Sequence, residues 1–126
     1  MFTEYTQRYA DAMKHLPFEA RGIGPPSDVN ALDEGLRKAV LTAMRFYFNL
    51  CSEELYLHQR GRIDSSTWAI WKAGIRDSAH GPYFASSWSF LHREYRAYPE
   101  FCDFIDGILK GIPATGTTTP GKALPG

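Results

Sequence analysis

The sequence predicts an all-α protein, a compact bundle of about five helices around one long helix at about 29–59. Three observations predict it. Apolar residues recur at steps of three and four through most of the chain. No segment alternates apolar and polar residues as a half-buried strand does. Gly, Pro and Ser/Asp groups separate the helical runs. With 126 residues, the chain suffices for one core and is too short for two comfortable ones. Residues 1–110 therefore read as a single helical domain, with an N-terminal helix and a Pro/Gly connector in 1–27. Residues 111–126, rich in Gly, Pro, Thr and Ala, read as a disordered tail.

The first helix is expected over 3–16, where Tyr5, Tyr9, Ala12 and Leu16 keep helical spacing until Pro17. Gly22, Gly24, Pro25 and Pro26 then break any regular element. Ser27 or Asp28 suits the N-cap of the long second helix. That helix carries two neighbouring apolar stripes, Val40-Ala43-Tyr47-Leu50 and Met44-Phe48-Cys51-Leu55. Its polar residues between 39 and 52 are Thr42, Arg45, Asn49 and Ser52, one narrow stripe on an otherwise apolar cylinder. A surface helix normally shows a wider polar face. The helix is thus expected to be central, or partly covered by a second subunit, and to end near Arg60 with Gly61 after it.

Asp64 is the expected N-cap of a third helix, with Ile63 and Trp68 placed to form a hydrophobic staple across its first turn. Trp68, Trp71, Ile75 and Ala79 form its apolar stripe. Gly81 and Pro82 are read as closing that helix and opening the fourth, on which Phe84, Trp88, Leu91 and Tyr95 recur. A short fifth helix from Pro99 carries Phe101, Phe104, Ile105 and Ile108.

Composition narrows the function classes. Basic and acidic residues number 14 each, and no basic cluster appears, which argues against nucleic-acid binding. The longest apolar-rich run, 39–51, contains Thr42, Arg45 and Asn49 and is too short for a bilayer, which needs ~20 predominantly apolar residues. The first residues show no basic start followed by an apolar stretch. Cys51 and Cys102 lack a Cys-x-x-Cys spacing, so zinc is not expected, and they read as buried free thiols, with a single disulfide as the alternative. A soluble cytoplasmic protein is expected.

No catalytic residue set emerges, and no cofactor is called for. Serines are plentiful, but none occupies a Gly-x-Ser-x-Gly turn, and Gly22-Ile23-Gly24 follows no strand. Glu54 and His58, four apart on one helical face, are weak candidates for a metal or acid–base site, with His92 as a third member. The local alternative is a Glu–His pair near a helix C-terminus, where a cationic His is favoured. Trp68, Trp71 and Trp88, with Arg76, Arg93 and Arg96 nearby in sequence, are candidates for a partner surface, since Trp and Arg are enriched at binding hot spots. Aromatic residues at helical spacing also serve as core.

The segments Arg45-Phe46-Tyr47-Phe48 and Glu54-Leu55-Tyr56-Leu57-His58-Gln59-Arg60-Gly61-Arg62-Ile63-Asp64, with Trp68 after them, resemble a family of small bacterial helical proteins of unknown function. Trp88, Tyr98-Pro99-Glu100-Phe101 and Phe104-Ile105-Asp106 are similar to that family's closing segment, so the resemblance covers 40–109. It implies a bacterial origin and a helical bundle, and supplies no activity or cofactor. Some members carry an N-terminal membrane helix, for which this sequence has no matching run. The expectation is a non-enzymatic interaction or accessory protein with a protein partner or a second copy of itself; the alternative is a small metal- or ligand-binding enzyme using Glu54, His58 and His92.

Overall fold

In the computed structural model, residues 7, 8, 10, 11 and 27–112 are described, and they contain helices and turns with no strand among them. Four α-helices lie in this part: α1, Glu34–Gln59; α2, Ser65–Ser78; α3, Phe84–Leu91; and α4, Pro99–Lys110. Two short 3-10 turns, Val29–Ala31 and His92–Tyr95, precede α1 and follow α3. Gln7, Arg8, Ala10 and Asp11 are helical. The rest of the expected first helix, the connector over 17–26 and the tail from 113 lie outside the described residues.

The long helix starts later than its spacing predicts. Leu32 and Asp33 are extended, and the Asp33 carboxylate accepts the Leu36 N–H at 2.9 Å, so the cap falls at Asp33 instead of Ser27 or Asp28. Asp28 caps the small turn instead, accepting the Asn30 N–H at 2.9 Å. The physical reason for the break is Val29. It is fully buried, and its N–H donates to Ser86 Oγ on α3 at 2.9 Å, while the Ser27 N–H donates to the Pro82 carbonyl at 2.7 Å. A helix running straight through 29–34 would give up that anchorage.

At its other end α1 closes as its sequence predicts. Gly61 has φ +70, a left-handed conformation that costs a side-chain-bearing residue energy. The Gly61 N–H then reaches the His58 carbonyl at 3.0 Å and the Arg62 N–H the Leu57 carbonyl at 2.9 Å, the Schellman pattern. Asp64 follows as the N-cap of α2, accepting from the Thr67 N–H at 2.7 Å and the Ser66 hydroxyl at 2.9 Å. Those bonds hold its carboxyl below the usual range, the Thr67 contribution being the largest.

The α2–α3 junction departs from expectation. α2 stops at Ser78, and Gly81 is not among the glycines with positive φ. α3 starts at Phe84, two residues after Pro82. His92 lies in the tightened His92–Tyr95 turn beyond α3 and not on the helix itself, yet Phe84, Trp88, Leu91 and Tyr95 are all buried as their spacing requires. Pro99 begins α4 at its first turn, where a missing N–H costs nothing.

The core is rich in aromatic rings set among aliphatic side chains. α1 packs against α2, α3 and the Val29–Ala31 turn. The Phe48 ring of α1 meets Phe84 at 5.1 Å and Trp88 at 5.0 Å, and Trp88 meets Phe101 of α4 edge-on at 5.6 Å. Rings of this size bury large apolar areas and favour tilted or edge contacts, so one chain of rings ties α1, α3 and α4 together. The Trp88 indole N–H is satisfied by Asp106 on α4 at 2.9 Å.

Half of the polar stripe on α1 is also a contact. Arg45 gives two nitrogens to Glu94, at 2.9 and 2.7 Å, and Asn49 accepts from the Tyr95 hydroxyl at 2.5 Å. The His92–Tyr95 turn is thereby held against α1 by polar bonds in addition to the packing of the buried Tyr95 ring.

Candidate functional site

Two features of α1 depart from an ordinary amphipathic helix, and both concern side chains on unexpected sides. Phe46 and Tyr56 face solvent at 52% and 50% exposure, and Ile70 on α2 at 60%. Glu54, by contrast, is buried at 7% exposure. The exposed stripe of α1 runs Thr42, Phe46, Asn49, Glu53, Tyr56 and Arg60, at steps of four and three. It lies a fraction of a turn from the Thr42-Arg45-Asn49-Ser52 stripe that the polar residues alone suggest. Reading the stripe by its 3.6-residue phase instead of its polarity would have found Phe46 and Tyr56.

Glu54 sits one turn beyond the buried Cys51. Burial pushes its carboxyl up to about 7, the Arg8 guanidinium opposes that rise, and the neighbouring Glu53 charge adds to it. Arg8 bonds Glu53 with both terminal nitrogens, at 2.9 and 2.8 Å, so the N-terminal segment touches α1 at this point. Burial raises the Cys51 thiol well above its ordinary value, with the Glu54 charge as a second cause. A thiol so placed stays protonated and is a poor nucleophile.

The other metal or acid–base candidates are engaged elsewhere. The His58 ring is half-buried and stacks on Trp68 of α2 at 4.5 Å and 8°. His92 is exposed, with Nδ1 2.9 Å from the Ser89 carbonyl and its ring 6.1 Å from Trp88. Among the described residues no three His, Cys, Asp or Glu side chains group so as to hold a metal ion. Glu54, His58 and His92 are therefore not brought together.

The partner-surface candidates divide. Trp68, Trp71 and Trp88 are buried in the core, the packing role that their helical spacing also allows. Arg76, Arg93 and Arg96 are exposed, and the Arg93 guanidinium covers the Phe90 ring at 4.9 Å. Beside Tyr56 lies an open groove of 310 Å³ lined by Ser52, Glu53, Tyr56, Leu57 and Tyr98. The Tyr98 hydroxyl donates to Gln59 at 2.8 Å along this side, and Arg60 lies over the Tyr56 ring at 5.5 Å.

No family model, curated protein or solved structure matches the chain. No helix among the described residues is long and apolar enough to cross a membrane.

Proposed function

We propose that this chain is a non-enzymatic interaction or accessory protein, binding a protein partner or a second copy of itself through apolar and aromatic helix faces. One observation carries the reading. Phe46, Tyr56 and Ile70 stand in solvent at half exposure or more, while the chain buries an acid on the same helix as the first two. Covering a fully exposed large apolar side chain is worth ~1.5–3 kcal/mol, and these three, already about half covered, have roughly half of that each to contribute. The reading also takes the protein to be cytoplasmic and bacterial, on the free thiols of Cys51 and Cys102 and on the resemblance over 40–109.

Light scattering from micromolar to millimolar concentration tests it, with the triple variant Phe46→Ser, Tyr56→Ser, Ile70→Ser as control. The expected result is a concentration-dependent mass in the wild type that the variant loses while remaining folded. A wild type that is monomeric throughout removes the second copy as partner. If a photocrosslinking residue at position 46 then captures no specific protein in cells, the reading fails.

A further inference from the structure

Helix α2 is apolar on the side that faces away from the core as well as on the side that faces it. Between Trp68 and Ile75 its one charged residue is Lys72. Trp68, Trp71 and Ile75 fill the inner side. Ala69, Ile70, Ala73 and Gly74 are exposed, Ile70 at 60%. A surface helix normally carries its charges on the outer side, and a helix apolar all round is one that becomes covered. The outer stripe runs Ser66, Ile70, Ala73 and Asp77, at steps of four, three and four, so a polar residue bounds its apolar middle at each end.

Reversed, this stripe is complementary to itself. Its midpoint falls between Ile70 and Ala73. A second copy of α2 turned about a two-fold axis at that point sets Ile70 opposite Ala73 and Ser66 opposite Asp77. The large Ile70 side chain then meets a small one, with Gly74 beside it, where nothing lies within 4 Å of the place a Cβ would take. Small residues at the contact let two helix axes approach to ~8 Å. Charge selects the direction. Exposed Arg62 and Asp64 stand at the start of α2, and exposed Arg76 and Asp77 at its end. A parallel pair would bring each of these against its own copy, whereas an antiparallel pair brings a base and an acid against an acid and a base. Asp77 gains most, because in the last turn it lies at the negative end of its own helix, and in the reversed pair it lies at the positive end of the other. We propose that a second copy of this chain docks α2 against α2, antiparallel, about a two-fold axis between Ile70 and Ala73. The proposal rests on the interaction reading above and commits it to one occupant and one register.

Sedimentation equilibrium of the full chain at low salt, from micromolar to millimolar concentration, tests it, with circular dichroism and urea midpoints checking that each variant is folded. The wild type is expected to form dimers, and Ala73→Arg, at an exposed position, to stay monomeric throughout. Ser66→Glu and Asp77→Lys each set like charge against like at two symmetry-related places, and each is expected to weaken association roughly fivefold. Combined in one chain, they are expected to restore it. Within a single helix the two positions lie ~16 Å apart along the axis and cannot pair, so restoration reads a contact between copies. A wild type that is monomeric at every concentration overturns the proposal, and the interaction reading then stands or falls on its crosslinking test. Dimers that survive Ala73→Arg also overturn it; if Phe46→Ser with Tyr56→Ser removes those dimers, the interaction reading stands through α1 instead. Dimers lost in Ala73→Arg but not restored by the combined charge variant overturn the antiparallel register.

Discussion

Glu54 sets a pH dependence for the stability of the whole chain. Its carboxyl titrates at about 7 when folded against an ordinary value of 4.5, with burial as the main cause and the Arg8 attraction already included. A carboxyl raised in this way holds its proton more tightly folded than unfolded. Its penalty is therefore absent below pH 4.5, grows as the pH climbs towards 7, and is complete above that. At ~1.4 kcal/mol for each tenfold change in proton affinity, the full penalty is ~3 kcal/mol, a large share of a net stability of ~5–15 kcal/mol. Glu54→Gln keeps the shape of the protonated acid and removes the titration. Relative to the wild type, the variant is expected to gain ~2.5 kcal/mol between pH 5 and pH 8. Urea unfolding at the two pH values reads this directly, and the comparison is clean because every other carboxyl titrates in both proteins. If the stability difference between them is the same at pH 5 and pH 8, the reasoning is refuted, since Glu54 would then be solvated or fully compensated in the fold.

Three other perturbations test the framework. Phe48→Ala removes the fully buried ring that joins Phe84 and Trp88 and is expected to cost ~3–5 kcal/mol by chemical denaturation; a loss under ~1 kcal/mol would contradict its place in the core. Gly61→Ala puts a side chain at φ +70, and a loss of ~1–2 kcal/mol is expected in the same assay. The Arg45–Glu94 pair is two-pronged but well exposed, so a double-mutant cycle with glutamines is expected to give ~0.5–1 kcal/mol of coupling at low salt. The Arg45 bonds hold the Glu94 carboxyl down, so that coupling is present above the unfolded carboxyl range near 4.5 and is lost as the pH falls through the lowered folded value.

What was legible in the sequence is what local chemistry decides. Asp64, Gly61 and Pro99 mark helix ends through their own side chain, missing side chain or ring, and the structure uses each one there. The apolar spacings also gave the core residues, Trp68, Trp71, Trp88 and Tyr95 among them. The failures have tertiary causes. The break at Leu32–Asp33 exists because Val29 is tied to Ser86, 57 positions further along, a contact that no local pattern shows. Glu54 reads in the sequence as a candidate partner of His58, whereas the His58 ring stacks on Trp68 and Glu54 is buried in the fold. The polar stripe was recognised, but its role as the seat of Glu94 and Tyr95 was invisible until both partners were in place.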